Sequence, residues 1–299
     1  MRILVTGKNG QVGSSLMLLG DSFGFSMIGM SSTELDVTNI KNVDAVVAQV
    51  KPDLIINAAA YTAVDNAESE KQTAYSINET GPKLLALACK KLNIPLFHIS
   101  TDYVFDGNHE LPYTEEDLVN PVSVYGRSKL MGELAVKNTI HNYIVLRTAW
   151  VFSSSGSNFV KTMLRVGATR DELSVVGDQI GGPTSAKGIA TALLNIAARY
   201  ESGANVEWGV YHYTGAPYVS WYDFAKEIFD KAEAVGILDR APHLNKITSS
   251  EYPTPVKRPS NSCLSMSKIK VNFQIGPDDW NLALSDVYSE FVLEKRLMN

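Results

Sequence analysis

The chain has 299 residues, and its 27 Lys and Arg residues against 32 Asp and Glu residues give a formal net charge of −5. Hydrophobic residues make up 45% and charged residues 20%, values that are typical of a globular protein and exclude an intrinsically disordered one. The acidic balance argues against a nucleic-acid partner, which a basic patch usually marks. No apolar run is long enough for a signal peptide or a transmembrane helix, so we expect a cytoplasmic protein with no membrane partner.

The two cysteines, Cys89 and Cys263, lie far apart in the sequence. They offer neither a disulfide framework nor the Cys/His cluster of a zinc site. We expect both to be small buried hydrophobic residues rather than reactive thiols.

Short apolar runs alternate with helical patterns through the first half of the chain. The predicted strands are Arg2–Thr6, Ser26–Met30, Asp53–Asn57, Pro95–Ser100 and Tyr143–Arg147, and the predicted helices are Gln11–Leu19, Asn39–Val50, Ala67–Leu92 (interrupted near Gly81 and Pro82) and Val122–Asn138. The strands are continuously apolar, as in Leu54–Ile56, which indicates a parallel sheet covered on both faces. Strand and helix alternate as in an α/β fold with a doubly wound parallel (Rossmann) sheet.

The second half is less regular. The predicted strands are Leu173–Val176 and Val210–Tyr213, and the predicted helices are Ser185–Tyr200, Trp221–Val235 and Trp280–Lys295. Ser220 and Asp223 have the spacing of a capping box at the start of the Trp221 helix. We predict a dinucleotide-binding domain over residues 1–150. Residues 151–299 are predicted to form mainly a smaller, mixed C-terminal substrate-binding lobe, with some segments returning to the first domain.

A glycine loop directly follows the first strand. Gly7, Gly10 and Gly13 are spaced G-x-x-G-x-x-G. Such a loop turns sharply, lets the backbone approach a pyrophosphate and presents the free N–H groups of the next helix to it. The alternative is a purely structural turn, but the position between strand and helix favours dinucleotide binding.

The ends of the next two strands bear on the cofactor. The second strand ends at Met30-Ser31-Ser32, with no carboxylate to hold a ribose 2′-hydroxyl and no arginine to hold a 2′-phosphate. We favour NADPH, with NADH tolerated. The third strand ends in Asn57 and the small residues Ala58–Ala60, which permit either a flat ligand at the backbone or a tight helix–sheet contact.

Three side chains form a candidate catalytic group. Tyr125 and Lys129 are four residues apart and therefore share one face of the predicted helix. We expect the lysine ammonium to lower the pKa of the tyrosine and make it a better proton donor. Thr101 follows the fourth strand, at the edge where a doubly wound sheet presents its functional groups.

Seven segments resemble those of the dTDP-4-dehydrorhamnose reductases, a family of extended short-chain dehydrogenases/reductases: TGKNGQVG, INAAAYTAVDNAE, ISTDYVFDG, VYGRSKLMGE, LRTAWVF, NFVKTML and YPTPVKRPSNS. The resemblance extends from Met1 to about Trp280. It implies reduction of the C4 ketone of dTDP-4-dehydro-L-rhamnose, with Thr101, Tyr125 and Lys129 as the catalytic triad. It also implies two further sets of contacts: a cofactor lined by Gly7, Gly10, Gln11, Val12, Asp36, Val37, Ala60, Tyr61, Thr62, Tyr125 and Lys129, and a sugar nucleotide contacted by Thr101, Asp102, Tyr103 and Trp150.

Arg258 lies in the Pro-rich region before the last helix. An arginine can hold a diphosphate through two parallel hydrogen bonds, and an acidic protein needs such local groups to bind an anionic substrate. A solvated loop charge is the equal alternative.

The sequence departs at one site from the pattern of the family that it resembles. Some members bind Mg²⁺ at a dimer interface through carboxylates, one of them in the helix after the glycine loop. Here the matching stretch of that helix, Gly13-Ser14-Ser15-Leu16, carries no carboxylate, and Lys187 stands where a second acidic ligand would be expected. Because Mg²⁺ needs oxygen ligands, we predict no metal site and either a monomer or a homodimer without a Mg²⁺ bridge.

Three other functions occur on folds of this kind. Related dehydratases carry an Asp-Glu pair after the catalytic threonine, whereas this chain has Asp102-Tyr103. A sugar-nucleotide epimerase on the same fold would keep its cofactor bound. A non-catalytic subunit resembling the regulatory β subunit of methionine adenosyltransferase would not need the triad. The complete triad favours the reductase over the last of these.

Overall fold

The structure is a computed structural model that describes residues 1–298. Its strands are β1 Arg2–Thr6, β2 Ser26–Met30, β3 Leu54–Asn57, β4 Leu96–Thr101, β5 Tyr143–Thr148, β6 Val151–Phe152, β7 Glu172–Val176, β8 Ile180–Gly181, β9 Thr184–Ser185, β10 Gly209–His212, β11 Gly215–Ala216, β12 Val219–Ser220, β13 His243–Ile247, β14 Asn261–Ser262 and β15 Asp278–Asp279. Its helices are α1 Gln11–Leu19, α2 Ile40–Val50, α3 Lys71–Tyr75, α4 Gly81–Leu92, α5 Val124–Thr139, α6 Phe159–Gly167, α7 Ala186–Glu201, α8 Trp221–Ala234, α9 Ser267–Phe273 and α10 Trp280–Met298.

The centre of the molecule is a six-stranded parallel sheet in the order β10-β5-β4-β3-β1-β2. Thr6 pairs with Asn57 across β1 and β3, and Thr101 pairs with Thr148 across β4 and β5. The carboxyl ends of these strands therefore meet at one edge, and the strand order reverses between β1 and β3. That reversal is where doubly wound folds bind nucleotides. The predicted Rossmann sheet is confirmed.

Helices cover both faces of this sheet. Helices α1 and α7 pack on one face, and α2, α4 and α5 pack on the other. The core strands β1 and β3 are buried through Ile3–Val5 and Leu54–Ile56, because side chains on both faces of a covered sheet are removed from water. The continuous apolar runs of the sequence follow from this arrangement.

One predicted helix is wrong at its start. Ala67 lies in a separate short turn, and the helical stretch begins at Lys71 and passes through a π-helical turn at Ser76–Thr80. Helix α4 then begins at Gly81 with Pro82 in its first turn, which is where an interruption was expected. The π turn contains Asn78, whose buried side chain is bonded to the backbone of Tyr61.

A second core lies in the C-terminal half, between α6, α8, α10 and β7, and Phe152, Phe224 and Trp280 are buried in it. The capping box of Ser220 and Asp223 at the start of α8 is confirmed. Strand β10 pairs with β5, so part of this half completes the central sheet. The domain boundary at residue 150 stays a prediction.

The cysteines behave as small hydrophobic residues. Cys89 and Cys263 are both buried and unpaired, and burial raises the pKa of each thiol, that of Cys263 to about 12. Within residues 1–298, no helix is both long and apolar enough to cross a bilayer.

Candidate active site

The glycine loop forms a bare cradle at the end of β1. Gly7 has φ +69°, and a Cβ there would come within 2.9 Å of the Ala58 and Ala59 backbone. A Cβ on Gly13 would lie 2.0 Å from the Gly7 carbonyl oxygen. Gly10 precedes α1 without any side-chain cap, so the first N–H groups of the helix are open to a ligand. This cradle fits the pyrophosphate of a dinucleotide.

A carboxylate that sequence analysis missed lies at the end of β2. Glu34 folds back to accept hydrogen bonds from Ser31 N and Ser31 Oγ, each at 2.7 Å, and from Lys8 Nζ at 2.8 Å. The hydrogen bonds from Lys8 and Ser31 hold the pKa of Glu34 down at about 2. The expectation of a strand end without a carboxylate is wrong, because this glutamate comes four residues after the strand and returns through a turn. Its charge is already neutralised by Lys8.

The other expected cofactor residues line the same edge of the sheet. Val12 is buried in α1, and Val37 is buried against the position of Gly81. Asp36 is exposed and accepts hydrogen bonds from Thr38. The side chain of Gln11 accepts hydrogen bonds from Ser153 and Asn158 in the second half of the chain.

The segment after β3 is held by Asn78, which sequence analysis also missed. Its side chain accepts a hydrogen bond from Tyr61 N at 2.9 Å and donates to the Tyr61 carbonyl oxygen at 3.0 Å. It also donates to Ser128 Oγ on α5 at 3.0 Å. These contacts fix the backbone of Ala60, Tyr61 and Thr62 at the sheet edge. No local sequence signal marks such a bridge, since its partners are far apart along the chain.

Helix α5 is packed tightly against the end of β4. Ser123 caps it by accepting a hydrogen bond from Gly126 N at 3.0 Å. A Cβ on Gly126 would lie 2.1 Å from the carbonyl oxygen of Tyr103, so this position must be glycine for the helix to approach. Tyr125 thereby reaches Thr101 at the strand end, and Lys129 reaches the Ile99 carbonyl oxygen in the same strand. All three side chains are buried. The structure brings the predicted catalytic residues together.

The expected electrostatics of Tyr125 are corrected. Burial raises the pKa of this phenol above its ordinary value and outweighs the hydrogen bond from Thr101, which lowers it. The Lys129 ammonium instead donates to the carbonyl oxygen of Ile99 at 2.7 Å. Tyr125 is therefore a fully protonated phenol at neutral pH, the form that a proton donor requires.

Lys129 lies near the buried ion pair of Glu133 and Arg147. Burial lowers its pKa to about 8, and the negative charge of Glu133 opposes that shift. Glu133 accepts hydrogen bonds from Arg147 Nε at 2.9 Å and from Arg147 Nη2 at 2.7 Å, and Ser100 Oγ also donates to it. The pair thus ties α5 to β4 and β5 directly below the catalytic residues.

Asp102 is a buried carboxyl beside Thr101. Its Oδ1 accepts a hydrogen bond from Thr101 Oγ1 at 3.0 Å, while its Oδ2 is buried without a partner among the described residues. Burial raises its pKa to about 6, although hydrogen bonds from Ser262 and Thr101 oppose the shift. A carboxyl in this state is costly to ionise.

This raised pKa predicts a pH dependence of stability. The pKa of Asp102 in the folded protein, about 6, lies above its ordinary value of 3.8, so its contribution to stability is fully present at low pH and is lost as the pH rises through about 6. We expect the unfolding free energy of the wild type, relative to Asp102→Asn, to fall by on the order of 3 kcal/mol between about pH 4 and pH 7. Urea unfolding of both proteins at the two pH values measures this change. If the difference in unfolding free energy between the wild type and Asp102→Asn did not change with pH, the raised pKa of Asp102 would be contradicted.

A cavity of about 830 Å³ opens beside the catalytic residues, and Thr62, Tyr103, Trp150 and Arg258 line it. Trp150 has a left-handed φ of 50° and stacks on Trp221 with ring centroids 3.5 Å apart. Tyr103 contacts Tyr125 edge to face at 5.4 Å. Of the expected substrate residues, Tyr103, Trp150 and Arg258 line this cavity, which combines an aromatic wall with polar groups as ligand sites do. Thr101 and Asp102 are buried and do not line it.

Arg258 crosses this cavity to the first half of the chain. Its Nη2 donates to Asp65 Oδ2 at 3.2 Å, and the two side chains are 34% and 37% exposed. Arg258 is therefore paired and is not a free loop charge. Because a half-exposed ion pair is weak, Arg258 can leave Asp65 for another partner.

Lys187 lies where the sequence predicts that no metal site can form. Its ammonium is paired with Glu290 in a cavity that Asp278, Asp279 and Asp286 also line. Asp278 is engaged by Ser185 N. Among the described residues, no three acidic, His or Cys side chains form a metal-binding group. The ammonium of Lys187 already neutralises the carboxylate of Glu290, so the residues here do not fit Mg²⁺.

A glycine cradle at the strand-order reversal, a Thr-Tyr-Lys group at the same edge and an adjoining cavity define the class of protein. The chain has the fold and site of an extended short-chain dehydrogenase/reductase.

Comparison with known proteins identifies the family. The model of the family described as "RmlD substrate binding domain" matches residues 1–293. A dTDP-4-dehydrorhamnose reductase of Aggregatibacter actinomycetemcomitans is 48% identical over 96% of this chain and 98% of its own length. The solved reductase of Clostridium acetobutylicum superposes with a TM-score of 0.89 at 38% identity, covering 97% of this chain and 99% of that one. The chain belongs to the dTDP-4-dehydrorhamnose reductase family.

Two further structures separate the alternatives. The dTDP-4-dehydrorhamnose reductase of Bacillus anthracis, solved in complex with NADP, is 35% identical with a TM-score of 0.88 and covers 97% of this chain and 99% of its own. The UDP-glucose 4-epimerase of Thermotoga maritima has a TM-score of 0.80 but only 18% identity, over 99% and 100% of the two chains, and shows the fold alone. The comparisons favour the reductase over the epimerase.

Proposed function

We propose that this protein reduces the C4 ketone of dTDP-4-dehydro-L-rhamnose to an alcohol, giving dTDP-L-rhamnose, with NADPH as the reductant. The observation that carries the proposal is the meeting of Thr101, Tyr125 and Lys129 at the sheet edge, between the glycine cradle and the cavity, in a member of this reductase family. NADPH, when bound, supplies the hydride that the ketone carbon accepts.

The protein supplies the proton and the orientation. Tyr125 donates its phenolic proton to the oxygen as the carbonyl becomes an alkoxide, and Thr101 hydrogen-bonds the same oxygen. The Lys129 ammonium, which is buried and bonded to the Ile99 carbonyl oxygen, contacts the bound cofactor, and solvent restores the proton of Tyr125 afterwards. Tyr103 and Trp150 orient the sugar in the cavity, and Asp102 fixes the hydroxyl of Thr101. The N–H groups at the start of α1 bind the phosphates of the dinucleotide. The residues that hold the dinucleotide are Gly7, Gly10, Gln11, Val12, Asp36, Val37, Ala60, Tyr61 and Thr62.

Arg258 is proposed to hold the diphosphate of the sugar nucleotide. Binding requires it to leave Asp65 for the phosphate oxygens, with which it forms charge-assisted hydrogen bonds. We expect Arg258→Met to weaken dTDP binding at least about tenfold, measured by calorimetry, because such bonds contribute about 1.5–3 kcal/mol.

Arg170 gives the matched control for this variant, because it lies on an exposed loop away from the cavity. Arg170→Met makes the same chemical change and is expected to bind dTDP as the wild type does. An unchanged dissociation constant in Arg258→Met would leave the arginine as a partner of Asp65 only.

No divalent metal is proposed to join two copies of the chain. Because Lys187 neutralises Glu290, we expect the molar mass in light scattering to be the same with and without a chelator. A fall in mass when the chelator is added would contradict this. The expected state is a monomer or a metal-independent homodimer, and the expected compartment is the cytoplasm, which the two free buried thiols support.

The activity is tested by following NADPH oxidation with dTDP-4-dehydro-L-rhamnose beside other nucleotide 4-ketosugars. We expect dTDP-4-dehydro-L-rhamnose to give the highest kcat/KM, and NADH to support a slower reaction. Faster turnover of another ketosugar would move the proposal to that substrate. Purified protein that carries stoichiometric bound NAD and oxidises no NADPH would identify an epimerase instead.

A further inference from the structure

The side chain of Gln11 connects the glycine cradle to the substrate cavity. Its Oε1 accepts a hydrogen bond from Asn158 Nδ2 at 2.9 Å and another from Ser153 Oγ at 2.9 Å. Gln11 is the first residue of α1, while Ser153 and Asn158 belong to the segment between β6 and α6. One amide oxygen therefore joins the two halves of the site.

The orientation of both amides follows from the network. Asn158 Oδ1 accepts a hydrogen bond from Lys161 N at 3.0 Å and caps α6, so its Nδ2 must face Gln11. Since Nδ2 can only donate, the Gln11 atom opposite it must be the carbonyl oxygen. The single proton of Ser153 Oγ is shared with the Ser155 carbonyl oxygen at 2.8 Å, which makes Asn158 the stronger partner.

The backbone between these partners is folded closely over Gln11. Gly156 has φ +70°, and a Cβ there would lie 3.1 Å from the Gln11 side chain. Asn158 Nδ2 also donates to the Ser153 carbonyl oxygen at 2.8 Å. Gln11 thus fills the inside of a turn whose shape it helps to set.

That turn positions the first residues of α6, which form part of the cavity wall. Asn158, Phe159 and Met163 line the cavity, and Phe159 packs on Trp221 with ring centroids 4.4 Å apart. A shift of Gln11 would therefore move groups that face the substrate.

We propose that Gln11 is a positioning residue that couples the two ligands, so that NADPH at the glycine cradle strengthens binding of the sugar nucleotide in the cavity. Phosphates seated on the first turn of α1 fix Gln11, and Gln11 in turn fixes Asn158 and the start of α6. By thermodynamic reciprocity, the sugar nucleotide strengthens NADPH binding by the same factor. The inference rests on the proposed function, since it needs both ligands.

The coupling is measured with dTDP as the probe, by calorimetry without NADPH and with saturating NADPH. We expect NADPH to lower the dissociation constant of dTDP at least about fivefold in the wild type. In Gln11→Met, which keeps the length of the side chain but has no acceptor oxygen, this ratio should approach one. A merely structural role would weaken dTDP binding equally in both conditions and leave the ratio unchanged.

Two further variants sharpen the test. Gln49→Met makes the same chemical change on the exposed face of α2 and should keep the wild-type ratio. Ser153→Ala removes the weaker contact and should give an intermediate ratio, and Gln11→Met/Ser153→Ala should lose no more than Gln11→Met alone. Should Gln11→Met fail to fold, the ratio in Ser153→Ala decides.

If NADPH did not change the dissociation constant of dTDP in the wild type, the coupling would be overturned. The same would follow if Gln11→Met kept the ratio of the wild type. In both cases the proposed reductase function would stand. A full wild-type ratio in Ser153→Ala, if that variant decides, would also overturn the coupling. If the wild type bound no dTDP in either condition, the proposed function and the coupling would both be overturned.

Discussion

Replacing Tyr125 with phenylalanine is expected to lower kcat at least about 100-fold, since general-acid groups contribute at least this factor. Phenylalanine keeps the ring that contacts Tyr103 at 5.4 Å but has no proton to give. The raised pKa of Tyr125 means that the native phenol is protonated at neutral pH, so the variant removes a donor and not a charge. Steady-state NADPH oxidation measures the loss.

Tyr143 provides the matched control, because it begins β5 at the opposite edge of the sheet. Tyr143→Phe loses the same hydroxyl away from the cavity and should turn over as the wild type does. NADPH binding by Tyr125→Phe, followed by fluorescence titration, should stay close to that of the wild type. Near-normal turnover in Tyr125→Phe would show that another group donates the proton.

Replacing Arg147 with methionine is expected to lower the free energy of unfolding by about 3–5 kcal/mol, the cost of breaking a buried ion pair by removing one partner. The side chains of Arg147 and Glu133 are each only 5% exposed, so the remaining carboxylate would stay buried without its counter-charge. The guanidinium also lies over the Phe105 ring, 5.1 Å from its centroid. Urea unfolding followed by tryptophan fluorescence measures the change.

An exposed ion pair gives the comparison. Lys226 and Asp230 are paired on the surface of α8 with 60% and 51% of their side chains exposed. Lys226→Met should leave the free energy of unfolding close to that of the wild type, because water screens such pairs. If Arg147→Met cost as little, the buried pair would not be what holds α5 to β4 and β5.

The fold could be predicted because its signals are local. A continuously apolar strand, a glycine loop and the helix that follows it are each contained within a few residues, and β1, α1 and β2 accordingly begin and end where the sequence predicts. Thr101, Tyr125 and Lys129 were recognisable for a related reason: residues at strand ends meet at one edge of a parallel sheet.

The supporting contacts could not be predicted, because their partners are distant in the sequence. Glu133 meets Arg147 and Ser100 only after α5 packs on the sheet, and Gln11 meets Asn158 across 147 positions. The sequence mispredicts the pKa of Tyr125 for a similar reason. Its spacing from Lys129 is visible in the sequence, whereas the burial that dominates its pKa exists only in the folded chain.

The most direct test of the proposed reaction is to trace the hydride. With NADPH deuterated at its transferable position and dTDP-4-dehydro-L-rhamnose as substrate, we expect one deuterium at C4 of the sugar for each NADPH oxidised. Mass spectrometry and proton NMR of the product locate the label. A product without deuterium at C4, or substrate consumption without net NADPH oxidation, would contradict the assignment of this protein as a C4-ketone reductase.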